Sequence, residues 1–288
     1  MHVGARIHPA LAPWVIFSSF LRKLYIQRGL IRNFVIRDLR SRYIGSFMGF
    51  FWSIIHPIVL LVSYTFVFSI VFNMRPKPDT GTTSFPLFLF CSILPWLFFQ
   101  EALQRSSTVI IENTNLVTKT IFPTEILPLT VLLSSTVNHL IGFAILLSIL
   151  FPLGKASVLI LFIPVYFFLL MLFTLGLSWL VAGLNVFIRD VSQIISVILV
   201  FWFWFTPIFY TPDLIQEAVQ RHPNVGRLLF LSEWNPLAQV VIAYRQCLLA
   251  GEMPDLRVLA GLCAASIGVF IAGGIFFRHI KREFVDVL

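Results

Sequence analysis

Residues 30–57 read LIRNFVIRDLRSRYIGSFMGFFWSIIHP, a basic collar that passes into uncharged apolar sequence without a break. Its first half carries Arg32, Arg37, Arg40 and Arg42 against a single acid, Asp38. From Phe47 to Phe72 there is no formal charge. At about 1.5 Å per helical residue that run is long enough to cross about 30 Å of hydrocarbon. A cluster of arginines directly before such a span fixes the side of the bilayer on which the chain starts.

The rest of the composition agrees. Of 288 residues, 58% are hydrophobic and 12% charged, with a mean hydropathy of +0.90. Soluble domains carry roughly 25% charged residues, so the fold class is an all-α polytopic membrane protein. The net charge of +8 and pI near 9.8 would suggest nucleic acid in a soluble chain. Here the bases flank apolar spans, which points to topology and contact with membrane lipids, and to no nucleic-acid partner. Cys91, Cys247 and Cys263 lack metal-ligand spacing, so no metal site is expected. Ala10–Leu21 is a short apolar run behind Arg6, but cleavage after it would place Arg22, Lys23 and Arg28 outside. An interfacial segment fits the charge rule better than a secretory signal.

Read in order, residues 1–46 form an N-terminal cytoplasmic arm. Ile31, Val35, Leu39 and Tyr43 recur every four residues and line one face of an amphipathic interface helix. Residues 47–277 form the transmembrane domain, with six spans at about 47–72, 85–111, 126–151, 158–183, 191–210 and 258–277. Between the last two, residues 211–257 contain Pro212, Pro223, Pro236 and Pro254 with apolar runs at Leu228–Leu231 and Leu237–Tyr244. Those runs are too short to cross, so they are expected to be short re-entrant helices dipping into the outer interface. Residues 278–288 are a cytoplasmic tail. On this topology the inner side collects fourteen Lys and Arg residues and the outer side seven, which places both termini in the cytoplasm.

The chemistry-bearing residues are sparse. The only Gly-Lys, Gly154-Lys155, has Ile149 and Ala156 where a phosphate-binding loop needs Gly and Ser or Thr, so no ATP is bound that way. Acids lie in loops or near span ends, and the deepest is Glu101. It stands four residues before Arg105, so the two are expected to pair beside a channel or face a wet cavity. His56 and His139 are the titratable groups within spans, and packing residues held by hydrogen bonds are the plainer reading. Among 31 Phe, 7 Trp and 6 Tyr, most must serve lipid contact. Trp52, Tyr64, Trp96, Trp202, Trp204 and Tyr210 lie near polar residues, where ring faces could stack on sugar while letting a chain slide past. A membrane glycosyl or acyl transferase would want an acid or His constellation at the membrane surface. Glu101, Glu112, Glu125 and Asp190 are scattered instead.

Five segments in this order are familiar together: RDLRSRYIGSFMGFFWSIIHP from Arg37, TNLVTKTIFPTEILP from Thr114, NVFIRDV from Asn185, TPIFYTP from Thr206 and WNPLAQVVIAYRQCLLAG from Trp234. The combination resembles the ABC-2 type transporter permeases, and within them the branch exporting O-antigen, capsule or teichoic-acid polysaccharide. The resemblance implies a homodimer of six-span subunits in the bacterial inner membrane, bound to two copies of a separate ABC ATPase that carries ATP and Mg. The permease itself would be a transport subunit rather than an enzyme, with no cofactor in this chain. The substrate implied is a lipid-linked polysaccharide moving along the dimer interface, lined by spans one, two and five. An exporter of a drug or a lipid is the alternative within the superfamily. Carried onto this sequence, the ATPase contacts are Arg37, Asp38, Arg40, Arg42 and Tyr43 with Asn115, Lys119, Phe122 and Pro123.

Overall fold

The computed structural model describes residues 25–42, 47–76, 80–119, 122–155, 157–211, 214, 220 and 234–288. Every regular element among them is helical. In chain order they are α1 (Arg28–Ser41), α2 (Trp52–Thr65), α3 (Phe85–Glu112), α4 (Thr114–Lys119), α5 (Ile126–Leu150), α6 (Ile163–Phe187), α7 (Val191–Phe205), α8 (Pro236–Arg245), α9 (Leu256–Ile280) and α10 (Phe284–Val287). Five helical stretches are long and apolar enough to cross a membrane, and α7 is a shorter apolar helix. The chain is therefore a polytopic membrane protein with about six spans.

The bundle is built around α3. Its first four turns are apolar on every side apart from the buried Ser92, with Leu89, Cys91 and Phe99 fully buried, and a helix hydrophobic nearly all round belongs in the middle. It packs against α2, α5, α6, α7 and α8. Its polar face begins only at Gln100, and the functional groups described below stand on it.

The most extensive pairing is α6 with α9, and it depends on glycine. A methyl group on Gly273 would overlap the backbone of Gly176, and one on Gly176 would overlap Val269 and Phe270. Two small residues facing each other let the backbones meet, which is how apolar helices gain packing when lipid is as greasy as they are.

Helix α7 stops at Phe205, five residues short of the predicted end of span five. The aromatic row continues the apolar pattern, but Thr206 precedes Pro207 and takes an extended conformation (φ −92°, ψ 128°). The residue before proline is driven out of the helical region by the proline ring. Helix α2 has no buried residue along its length, and it widens into a π-helical turn at Phe66–Val71.

Of the two short apolar runs before the last span, Leu228–Leu231 lies outside the described residues. The other forms α8, whose Leu237, Val240, Val241 and Tyr244 are all fully buried among α3, α6 and α9. Asn235 caps it by accepting the Leu237 N–H. A π-helical turn follows and ends at Gly251, whose φ of +67° suits glycine.

Candidate functional site: an ionic cluster beneath an aromatic-walled cavity

Helix α1 lies against α5 through Ile31, with Leu30, Phe34 and Val35 half-buried beside it. This seating turns Asp38 and Arg42 toward α3. Arg105 of α3 donates from Nη2 to Asp38 Oδ1 at 2.6 Å, and Arg42 donates from Nη1 to Glu101 Oε1. At the C-cap of α1, one turn on from Asp38, Arg42 Nη2 also meets Asp38 Oδ2 at 3.1 Å. Glu101 is held from a third direction by Asn138 of α5, whose Nδ2 lies 3.2 Å from both carboxylate oxygens. Two acids and two bases thus alternate around a ring, none more than about a third exposed. Burial works against charge on Asp38. The hydrogen bond and charge of Arg105, with the charge of Arg42, outweigh it and hold the carboxyl below the ordinary aspartate value.

The expected Glu101–Arg105 pair is present but loose. Its closest approach is 3.8 Å, too long for a hydrogen bond, and the tight partners of both residues sit on α1.

Directly above the ring is a cavity of about 650 Å³ between α2, α3, α5 and the end of α7. Glu101, Arg105, Asn138, Gln100, Gln104 and His56 supply its polar lining. Trp52, Tyr64 and Trp96 supply aromatic wall. Its size falls in the range of small-molecule sites, roughly 300–1,000 Å³. Trp96 is buried and donates its indole N–H to Gln100 at 2.8 Å, whereas Trp52 is 49% exposed.

The other three proposed channel aromatics do not line this cavity. Trp202 donates to Asn235 Oδ1 at 2.9 Å and packs edge-on against Phe99. Trp204 is on the outer surface of α7 at 56% exposure, and the Tyr210 hydroxyl donates to its carbonyl at 2.7 Å. His139 lies in the core, stacked on Phe167 at 4.1 Å, with its ring nitrogens 3.3 Å from the Leu94 carbonyl and 3.2 Å from the Tyr244 hydroxyl. It ties α3, α5 and α8 together as a packing residue.

The residues assigned to ATPase contact divide. Asp38 and Arg42 are committed to the ring. Arg37 and Arg40 are exposed. Arg37 lies 4.2 Å over the Phe34 ring and donates to Asn113 Oδ1 at 3.3 Å, while Phe34 meets Phe122 at 5.2 Å between ring centroids. Asn115 is exposed on α4 and Pro123 is half-buried. Tyr43 and the side chain of Lys119 lie outside the described residues. Lys281 reaches the same end of the bundle, 2.9 Å from Glu125, and Phe284 is buried against Phe187 and Phe277.

Gln100 and Gln104 were not singled out from sequence, although a polar pair four apart beside Glu101 marks the face on which α3 turns wet. Gln104 accepts from Ser196 and donates to the Ser192 carbonyl, joining α3 to α7. Among the described residues no three His, Cys, Asp or Glu side chains come together as metal ligands.

The model of the family described as ABC-2 type transporter matches residues 30–249, from the start of the α1 stripe to the turn after α8. The chain belongs to the ABC-2 type transporter family. This ABC-2 chain is 30% identical over 268 residues to the O-antigen export system permease protein RfbA of Myxococcus xanthus, covering 92% of this chain and 98% of that one. Two Klebsiella pneumoniae proteins of the same name are 26% identical over 254 residues, 88% of this chain and 92% of theirs. The matched region contains α1, the ionic ring and the cavity, so the arm that forms the ring is part of the family's shared body.

Proposed function

We propose that this chain is the permease subunit of an ATP-driven exporter that carries a lipid-linked polysaccharide across the bacterial inner membrane. The similarity over nearly the full length to three O-antigen export permeases carries this reading. The end of the bundle bearing α1, the ionic ring and residues 278–288 faces the cytoplasm, as the distribution of Lys and Arg favours. A separate ABC ATPase, in two copies with ATP and Mg, docks there against Arg37, Arg40 and Asn115, the members of the predicted set that are exposed among the described residues.

The subunit works as a homodimer. The apolar side chains that α2 and α7 leave exposed, such as Val62, Phe66, Val197 and Phe201, suit lipid on one side and a second copy on the other. Trp52 and Tyr64 form a wall on which glycan rings slide, with the buried Trp96 packed behind them, because a ring face has no fixed hydrogen-bond register. ATP-driven movement of α1 reaches that wall through the Arg42–Glu101 and Arg105–Asp38 contacts.

Deleting the gene tests the substrate class. Lipid-linked glycan should accumulate on the cytoplasmic side of the membrane and disappear when the gene is restored. Unchanged glycan pools, with a drug or a phospholipid retained instead, would overturn the assignment.

A further inference from the structure

Asp38 and Arg42 stand four apart on α1, and Glu101 and Arg105 stand four apart on α3, each with the acid leading. Side chains at that spacing share a helix face and can pair with each other. Each helix therefore carries a complete acid–base pair of its own. In the observed state the shortest contacts run crosswise, from Arg105 to Asp38 at 2.6 Å and from Arg42 to Glu101, while Arg42 also keeps its own pair with Asp38 at 3.1 Å. The pair within α3 is stretched to 3.8 Å, and the Arg105 Nη1 atom nearest Glu101 is buried with no hydrogen-bond partner.

We infer that these four residues are a partner-exchange latch: when α1 separates from α3, Arg105 trades Asp38 for Glu101, and Arg42 gives up Glu101 while keeping Asp38. The vacant Arg105 N–H is the donor that the internal pair on α3 takes up once Asp38 withdraws. On α1 the internal contact is already made at 3.1 Å. Asn138 grips both oxygens of Glu101 from α5, so that carboxylate stays beside Arg105 when Arg42 leaves.

The exchange matters because breaking an ordinary half-buried ion pair strands a charge, which is strongly unfavourable. Here separation leaves each helix with an acid–base pair of its own and strands no charge, which lowers the cost of undocking. A two-state element responds to a modest push only when that cost is small. The latch rests on the exporter reading for what does the pushing, but not for the exchange itself.

The test is a distance measurement. Spin labels on Asn33→Cys of α1 and Glu112→Cys of α3, both exposed positions, report docking in nanodiscs, with labelled subunits diluted by unlabelled ones. The subunit is measured alone and with its ATPase under ATP and ATP–vanadate. Wild type should show a short and a long distance whose ratio responds to nucleotide.

The pair of changes Asp38→Arg and Arg42→Asp preserves the internal pair but sets like charges across the interface. It should shift the docked-to-separated ratio about tenfold toward separation, with or without ATPase, as loss of two half-buried cross pairs implies. Adding Glu101→Arg and Arg105→Glu restores opposite charges and should restore docking. A docked population unmoved by the first pair, or not recovered by the fourfold reversal, overturns the latch. If the reversed chains do not insert, the neutral variant Asp38→Asn with Arg105→Gln is read instead. It keeps the Arg42–Glu101 cross pair but removes the partner that each of these charges needs after separation, so the ratio should shift toward docking by about threefold, and no shift, or a shift toward separation, overturns the latch. Failure of the ATPase to co-purify counts against the exporter reading and leaves the subunit-alone result to decide the latch.

Discussion

Asn235 joins the end of α7 to the start of α8 with one side chain, so its removal has a cost that can be worked through. Its Oδ1 accepts from Leu237 N at 3.0 Å, capping α8, and from the Trp202 indole at 2.9 Å, and its Nδ2 donates to Thr206 Oγ1 at 3.1 Å. In Asn235→Ala the lost cap costs about 1 kcal/mol. The indole N–H, left without its acceptor, costs about 1 kcal/mol more, at the low end because Trp202 is only half-buried. The Thr206 bond adds about 0.5–1 kcal/mol. The expected loss is about 2.5–3 kcal/mol, roughly 5–12 °C in Tm on the scaling for chains of comparable size. Asn235→Ser can still cap α8 but is too short to hold the indole, so it should recover about 1 kcal/mol of the loss. Thermal unfolding of the purified protein in detergent, followed by tryptophan emission, reads both effects, and the Trp202 environment should turn more polar in each variant. If Asn235→Ala shifts Tm by less than about 1 °C, or Asn235→Ser is no better than Ala, the three bonds do not work as described.

Three further predictions concern packing, the cavity and pH. Gly273→Ala should destabilise by about 1–3 kcal/mol through overlap with Gly176, whereas Gly261→Ala on the same helix meets nothing within 4 Å and should be neutral or better; equal effects in thermal unfolding would refute the close crossing. Trp52→Ala should lower glycan export about two- to tenfold, the worth of one ring contact of about 0.5–1.5 kcal/mol; normal export would remove Trp52 from the transport wall. The carboxyl of Asp38 titrates below its ordinary value in the folded chain, so its contribution is present above that value and is lost as pH falls through the lowered one. The Tm advantage of wild type over Asp38→Asn should therefore persist from neutral pH down through the usual carboxylate range and shrink only below it; an advantage that grows as pH falls would contradict the ring.

What the sequence made legible and what it hid have a common cause. A span is a one-dimensional property: an uncharged run such as Val158–Phe187 states its own length, and no partner is needed to read it. The break before α8 was equally local, because prolines punctuate it. Even the early stop of α7 was written in Thr206-Pro207, but the aromatic row beside it drew the predicted span on to Tyr210. The ionic ring is different. Residues 38 and 42, and likewise 101 and 105, announce two internal pairs by their spacing, and that is how Glu101 and Arg105 were read. Whether Arg105 closes on Glu101 or on Asp38 depends on how near α1 lies to α3. That distance is set by how Ile31 and Phe34 seat against the bundle, a contact between segments far apart in the chain. The Gly176–Gly273 contact was hidden for the same reason, since a glycine in a span is unremarkable until its opposite number is known. The ambiguity in the ring was therefore not only a failure of reading. A sequence that supports both pairings equally well on spacing alone is what a latch with two accessible states requires, and the crosswise arrangement is the one of the two that needs α1 in place.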